Sequence, residues 1–124
     1  MELLLTGCTL IDGTGRDPVP DAAVHIRDDR IGWVGPLRDL PAAAHQAPIR
    51  EASGCAVIPG LIDAHVHVSW NGRETIQDLL LRNRDDLLLK AVATVGNILG
   101  TGTTALRDIG GHGYLEMSLR KAIE

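Results

Sequence analysis

The chain has 124 residues, of which 44% are hydrophobic and 23% are charged, and these proportions are typical of a folded protein rather than a disordered or fibrous one. Its formal net charge of −4 argues against nucleic-acid binding, which needs a concentrated basic surface. No stretch approaches the ~20 apolar residues of a membrane span, so we expect neither nucleic acid nor a membrane among its partners. Cys8 and Cys55 do not form the pattern of a disulfide framework, which favours a reducing, cytoplasmic location.

The first half of the chain, residues 1–58, shows short β-prone segments separated by turns. The dipeptide Asp28-Asp29 stands between two such segments and predicts a hairpin turn, because aspartate tolerates a positive φ. On the two arms of this hairpin, we expect four side chains to share one buried face: Val24, Ile26, Ile31 and Trp33. His25 and His45 stand in no polar cluster, and we expect both on the surface. The predicted strands cover residues 3–11, 22–27 and 30–34, and a connector or short helical turn follows at 41–48.

From residue 59 onward the pattern changes to alternating strands and helices. In the first of these helices, apolar residues recur at helical spacing, and Gly100 stands where a glycine commonly ends a helix. Strand, helix and strand at this spacing predict parallel βαβ units, so the expected fold class is α/β. The predicted elements are a strand at 61–68, one helical segment at about 75–99, a strand at 103–109 and a helix at 114–124.

The strand at 61–68 carries two histidines and a carboxylate on one face. Alternate residues of a strand point to opposite sides, so Asp63, His65 and His67 share a face while the other face is wholly apolar and, we expect, covered. Burial of these polar groups without partners would be costly, and a divalent metal ion offsets that cost because imidazole is a good ligand for zinc and its neighbours. We therefore predict that His65 and His67 bind a metal ion, with Asp63 as a further ligand or as a group that orients an imidazole. Two ordinary surface histidines on an edge strand are the alternative.

A second polar feature follows the next strand. Asp108 falls at the C-terminal end of that strand, just before a glycine-rich loop that carries His112. In α/β barrels the active site lies at this end of the strands, so Asp108 and His112 are candidates for the wall of a substrate pocket. The alternatives are an ion pair between Arg107 and Asp108, and an ordinary turn at Gly110-Gly111.

Three segments resemble parts of one known family. Residues 57–67, Val-Ile-Pro-Gly-Leu-Ile-Asp-Ala-His-Val-His, resemble the segment that opens the barrel of the amidohydrolase superfamily. Residues 101–111 resemble the second barrel strand of its imidazolonepropionase-like and prolidase-like branch. Residues 29–35 resemble part of the small β-sandwich domain that precedes the barrel there. The resemblance covers nearly the whole chain and keeps the order of the family.

This resemblance implies a two-domain architecture. Residues 1–58 would be the N-terminal part of a small β-sandwich domain, and residues 59–124 would be the first βα units of a metal-dependent (β/α)8 TIM barrel. The stretch of about 65 residues after Pro59 is too short for such a barrel, which takes ~250 residues. We therefore expect the chain to be truncated relative to the family, and inactive by itself.

The resemblance also implies an activity. Members of the amidohydrolase superfamily are metal-dependent hydrolases that act on carbon–nitrogen bonds in cyclic amides, peptides or related small molecules, through metal-activated water. His65 and His67 match the first two metal ligands of the family, for which zinc is the usual ion. The remaining ligands and the general base belong to later strands, so no catalytic base is assigned within residues 1–124. The choice between one and two ions, and assembly into a homo-oligomer, stay open.

Two other classes of function compete with a hydrolase. One is a non-catalytic relative that keeps the barrel as a scaffold, against which the intact His65 and His67 argue. The other is a stand-alone binding module based on the β-rich first half. That module would leave the helix and strand of the second half without an explanation.

Overall fold

The computed structural model describes residues 1–70 and 72–124, which form two units, Met1–Pro59 and Gly60–Glu124. The first unit contains the strands β1 (Glu2–Leu10), β2 (Val19–Arg27), β3 (Arg30–Pro36), β4 (Ile49–Glu51) and β5 (Ala56–Val57). The second unit contains β6 (Leu61–Val66), α1 (Ile76–Leu80), α2 (Arg84–Gly100), β7 (Thr103–Asp108) and α3 (Leu115–Ile123). The predicted mixture of helices and strands is confirmed.

The first unit is built on one sheet with the strand order β3-β2-β1-β4, and β5 pairs with the end of β1. The pairs β1–β2 and β2–β3 are antiparallel, whereas β4 and β5 run parallel to β1. Asp28 and Asp29 join β2 to β3, and Asp28 has a φ of 55°. The predicted hairpin turn is therefore confirmed. Aspartate accepts this left-handed conformation because its short side chain can bond to nearby backbone.

The hairpin does not bury the four predicted side chains on one face. A register shift after His25 places Trp33 opposite His25 and Ile31 opposite Ile26, so β3 has one extra residue at this point. Trp33 packs against the hydrophobic core of the unit, whereas Ile31 is 68% exposed. The prediction of one shared face is wrong because a β-bulge interrupts the alternation of side chains. The core itself consists of Leu4, Ala23, Leu40, Ala44 and Ala47.

His25 is buried, and the prediction of a surface position for it is wrong. The residue is only 4% exposed, and its Nε2 atom lies 2.7 Å from Oε1 of Glu2. The reason is the position of β2, which has a neighbouring strand on each side and therefore lies inside the sheet. His45 is exposed, as predicted.

The second unit follows the predicted order of strand, helix and strand. Strands β6 and β7 pair in parallel, and α2 packs against β7 and α3. The face of β6 predicted to be covered is covered only at its end, since Val66 packs against the core whereas Ile62 is 74% exposed. Among the residues that the structure describes, no helix is both long and apolar enough to cross a membrane. The core of this unit consists of Val68, Leu87, Ala91, Leu115 and Leu119.

The single helical segment predicted over residues 75–99 is divided into two helices by local caps. Thr75 and Asp78 form a capping box at the start of α1, and the hydrogen bonds from Thr75 hold the pKa of the Asp78 carboxyl below its usual value. Asn83 has extended backbone angles and its side chain accepts the N–H of Asp85, which starts α2 afresh. The apolar periodicity continues across this break, so it alone could not reveal it.

A glycine precedes each of the two parallel strands. Gly100 ends α2, as predicted, but the glycine with a positive φ that caps the helix is Gly102, at 90° and directly before β7. The cap glycine therefore lies two residues later than predicted. Gly60, just before β6, lies so close to β7 that a Cβ atom there would be 2.7 Å from Cβ of Thr104.

Candidate functional site

The candidate site lies at the carboxyl ends of β6 and β7. Because the two strands are parallel, the residues that follow them meet at one edge of the sheet. His67 follows β6, and the loop with Gly110 and Gly111 follows β7. Together with Trp70 and His112 they line an open pocket of about 280 Å³.

The imidazole of His67 is held in a defined orientation. Its Nδ1 atom lies 2.6 Å from the carbonyl oxygen of Gly110. Since a carbonyl oxygen only accepts hydrogen bonds, Nδ1 carries the proton and Nε2 keeps its lone pair. The ring of Trp70 also makes an edge contact with His67, with 5.7 Å between the ring centroids. His67 therefore presents one ring nitrogen that is able to bind a metal ion.

Asp108 joins the two loops that form the site. One carboxylate oxygen accepts the backbone N–H of Val68 at 2.9 Å, and the other accepts the N–H of Gly110 at 2.8 Å. Within the described part of the chain, Asp108 uses its carboxylate on backbone groups and forms no ion pair with Arg107. The carbonyl that orients His67 thus belongs to a glycine that Asp108 itself holds.

His65 lies beside His67, and Asp63 precedes His65 by two residues in β6. A register shift between Asp63 and Val66 interrupts the regular pairing at this point. The ring centroids of the two histidines are 5.7 Å apart, with an angle of 79° between the ring planes. Asp63 accepts the backbone N–H of His65 at 3.1 Å, so its carboxylate bonds to the main chain. His112 is half-buried in the wall of the pocket. The roles predicted for these residues stay predictions.

The two imidazoles fit two positions of a metal site. A zinc ion bound at about 2.1 Å in the plane of an imidazole lies about 3.2 Å from its centroid, so two such rings have centroids at most about 6.4 Å apart. The observed separation of 5.7 Å is within that limit. Among residues 1–70 and 72–124, no group of three or more His, Cys, Asp or Glu side chains suited to a metal ion occurs. The separation is thus compatible with a metal ion shared by His65 and His67, and such an ion would need further ligands from elsewhere.

The structure adds residues to the site that the sequence did not single out. Ser69 lies in the pocket wall and is 1% exposed. It lies in the turn after β6, where strand alternation no longer applies, so the sequence pattern gave no signal for it. The carbonyl of Gly110 has no signal in the sequence, because every residue has one.

Comparisons with known proteins identify similar sequences and solved structures. No family model matches the chain. An imidazolonepropionase of Cereibacter sphaeroides strain KD131 is 38% identical over 93 residues, which are 75% of this chain and 22% of that protein. The solved structure of molinate hydrolase has a TM-score of 0.81 at 28% identity, covering 98% of this chain and 27% of that one.

A second solved structure is a prolidase complexed with N-methylphosphonate-L-proline. It has a TM-score of 0.77 at 25% identity, covering 98% of this chain and 29% of that one. The chain spans about a third or less of the length of the curated relatives that it matches. What those whole proteins do thus involves many residues outside the aligned part.

Proposed function

We propose, since this chain is related to the imidazolonepropionases and prolidases of the amidohydrolase superfamily, that it is part of a longer metal-dependent hydrolase. The substrates would be cyclic amides, peptides or related small molecules, in which a carbon–nitrogen bond is cleaved. The observation that carries the proposal is the orientation of His67, whose Nδ1 atom bonds to Gly110 while Nε2 stays available beside His65.

The architecture proposed for this enzyme is a (β/α)8 TIM barrel preceded by a small β-sandwich domain. The parallel pair β6–β7 with its crossover helix supports the first βα units of a barrel within residues 59–124. The mixed sheet of residues 1–58 supports a separate β-rich domain. The high TM-scores to hydrolase structures support both parts of the proposal.

Each residue of the site has a proposed task. His65 and His67 would hold a divalent cation, for which zinc is the expected ion, and the number of ions stays open. When bound, such an ion lowers the pKa of a water ligand to about 7 and polarises a substrate carbonyl. Gly110 and Asp108 would keep the ring of His67 in place, and His112 would line the substrate pocket. Asp63 would steady the strand by its bond to the main chain of His65.

We assign no general base within residues 1–124, and propose that it belongs to another part of the protein. The proposed location is the cytoplasm, with a small-molecule or peptide-like substrate as the partner. A homo-oligomer is compatible with the site but is not required by it. The second candidate is a non-catalytic amidohydrolase-like scaffold or inactive fragment.

The test uses the complete gene product with His65→Ala, His67→Ala and the control His45→Ala, which changes an exposed histidine of the first unit. Metal content is measured by mass spectrometry, and hydrolysis is measured with a panel of N-acylprolines and cyclic amides. We expect both site variants to lose bound zinc and turnover, because each removes one of the two donors. The control should keep both.

Two other results would point elsewhere. Full metal content and unchanged turnover in His67→Ala would refute the assignment of this ligand. A wild-type protein that binds zinc stoichiometrically but cleaves no member of the panel would favour the scaffold.

A further inference from the structure

Two buried oxygen atoms converge on the loop that orients His67. Oγ of Ser69 and Oε2 of Glu116 are both buried, and neither has a hydrogen-bond partner among the described residues. A Cβ atom on Gly111 would lie 2.9 Å from the Glu116 oxygen and 3.2 Å from the Ser69 oxygen. Both side chains therefore face the same side of the Gly111 backbone.

The placement of these two oxygens reduces stability. A buried polar atom without a partner is destabilising, and such atoms are rare in folded proteins. Ser69 is 1% exposed, so bulk water does not solvate its hydroxyl in this arrangement. Polar groups kept at such a cost are typical of functional sites rather than of structural cores.

A glycine is needed at position 111 because it has no side chain, and not because of its backbone freedom. Its φ of −137° and ψ of 173° are extended, and any residue adopts them without strain. The requirement comes from the oxygens of Ser69 and Glu116, which occupy the space that a side chain would need. The two oxygens thus lie close beside Gly111 and leave no room for a side chain there.

The position of Gly111 affects the orientation of His67 through one peptide group. The carbonyl of Gly110 and the Cα atom of Gly111 belong to the same planar peptide unit. Asp108 holds the N–H of Gly110 on one side of that carbonyl, at 2.8 Å. Ser69 and Glu116 limit the position of Gly111 on the other side. With both sides held, the carbonyl points at Nδ1 of His67.

We propose that Ser69 and Glu116 are positioning residues for His67, which fix the Gly110–Gly111 peptide and thereby keep the His67 ring in the tautomer that presents Nε2. This inference rests on the proposed function in one respect, since the value of an exposed Nε2 is its ability to bind a metal ion. The orientation of the ring is a property of the protein without metal. Hydrogen bonds that orient a metal-binding imidazole typically change metal affinity by about 10- to 100-fold when they are lost.

The experiment compares Ser69→Ala, Glu116→Ala and Gly111→Ala in the complete gene product. Ser118→Ala is the control, because Ser118 is an exposed serine on the same helix as Glu116. The first readout is the tautomer of His67 in metal-free protein, from ¹⁵N spectra of histidine-labelled samples at a pH where imidazole is neutral. The signal is assigned by its loss in His67→Gln. The second readout is the dissociation constant for Zn²⁺, from competition with a chromophoric chelator.

We expect His67 to be protonated on Nδ1 in the wild type and in Ser118→Ala. The three site variants should show a mixture of tautomers and a dissociation constant for Zn²⁺ that is about 10- to 100-fold higher. Glu116→Gln, which keeps the shape of the side chain, should restore both values. In Gly111→Ala/Glu116→Ala the new methyl group has room, so the double variant should bind Zn²⁺ more tightly than Gly111→Ala alone.

A merely structural role would give a different pattern. The melting temperature of the metal-free variants would then fall while the tautomer and the Zn²⁺ affinity stayed at their wild-type values, and this result would overturn the proposal. Detection of the Nε2-protonated tautomer in the wild type would overturn it as well. If the wild type binds no Zn²⁺ but the tautomer still shifts in the variants, the proposed function fails while the positioning role stands.

Discussion

Asp108, the last residue of β7, accepts the backbone N–H of Val68 from the chain that follows β6, at 2.9 Å. The bond joins two segments that are 40 residues apart. Val68 is 4% exposed, so water does not replace this acceptor easily. The carboxylate therefore determines how the ends of the two parallel strands meet.

Replacement of Asp108 by asparagine should destabilise the second unit. The new amide nitrogen would face an N–H donor, either that of Val68 or that of Gly110, and one of them would lose its acceptor. We expect the free energy of unfolding to fall by about 1–3 kcal/mol. The measurement is a urea titration of the complete gene product followed by circular dichroism. Asp86→Asn is the matched control, since Asp86 is exposed on α2 and loses the same charge. Equal stabilities of the two variants would contradict the role given to Asp108.

Gly60 should tolerate no side chain. Gly60→Ala would place a Cβ atom 2.5 Å from Cγ2 of Thr104 and 2.7 Å from its Cβ, so strand β7 or the chain before β6 must move. We expect a loss of about 1–3 kcal/mol, as is typical of overpacking. Removal of the Thr104 branch in Gly60→Ala/Thr104→Ala should recover part of that loss in the same urea titration.

The control for this substitution is Gly96→Ala. Gly96 is exposed within α2, and its Cβ would meet no atom within 4 Å. Alanine should therefore stabilise the helix by up to about 1 kcal/mol. A result in which Gly60→Ala is as stable as Gly96→Ala would show that Thr104 does not lie against Gly60 in the folded protein.

The two cysteines should differ sharply in their reactivity. Cys8 is fully buried, and burial raises the pKa of its thiol, whereas Cys55 is exposed. Since the thiolate is the reactive form, iodoacetamide should label Cys55 in the folded protein and Cys8 only after unfolding. Peptide mapping by mass spectrometry measures both sites in one sample, and Cys55→Ser provides the control. Labelling of Cys8 at the rate of Cys55 would mean that this part of β1 is open to solvent.

The raised pKa of Cys8 also fixes the direction of a pH effect. In the unfolded chain this thiol ionises at about pH 8.5, while burial in the folded protein raises its pKa. As the pH rises, the Cys8 thiol therefore loses its proton in the unfolded state first, and the free energy of unfolding falls above about pH 8.5. Cys8→Ala should reduce this alkaline loss.

The sequence predicted β1 to β3 and the parallel pair β6–β7 because their signals are local, but it did not predict the short strands β4 and β5. Alternation around Asp63, His65 and His67 indicates a strand, and Asp28-Asp29 marks a tight turn. The burial of His25 depends on distant parts of the chain, since it follows from strands on both sides of β2. The break before Asn83 is local, but its cap competes with a continuous apolar stripe, and the prediction followed the stripe.

The residues of the site also divide into those that the sequence could reveal and those that it could not. Side chains with distinctive chemistry, such as His67 and Asp108, could be proposed from their types and spacing. The carbonyl of Gly110 and the carboxylate of Glu116 could not, because their importance arises only from the way the loop after β7 turns back. Hydrogen bonds to the main chain form where the path of the backbone brings the partners together, and that path depends on many residues.

The extra residue in β3 has a consequence for how the hairpin aligns its arms. A displacement of β3 by one position would exchange the two faces of that arm and bring Ile31 to the side now held by Trp33. The bulge lies next to His25, where a Cβ on Gly32 would be 3.4 Å from the histidine ring, and this ring is paired with Glu2. Slippage would therefore disturb the hydrogen-bonded contact between His25 and Glu2 as well as the packing of Trp33. The bulge thus fixes the register of β3, the last strand on its side of the sheet, and opposes misaligned pairing there.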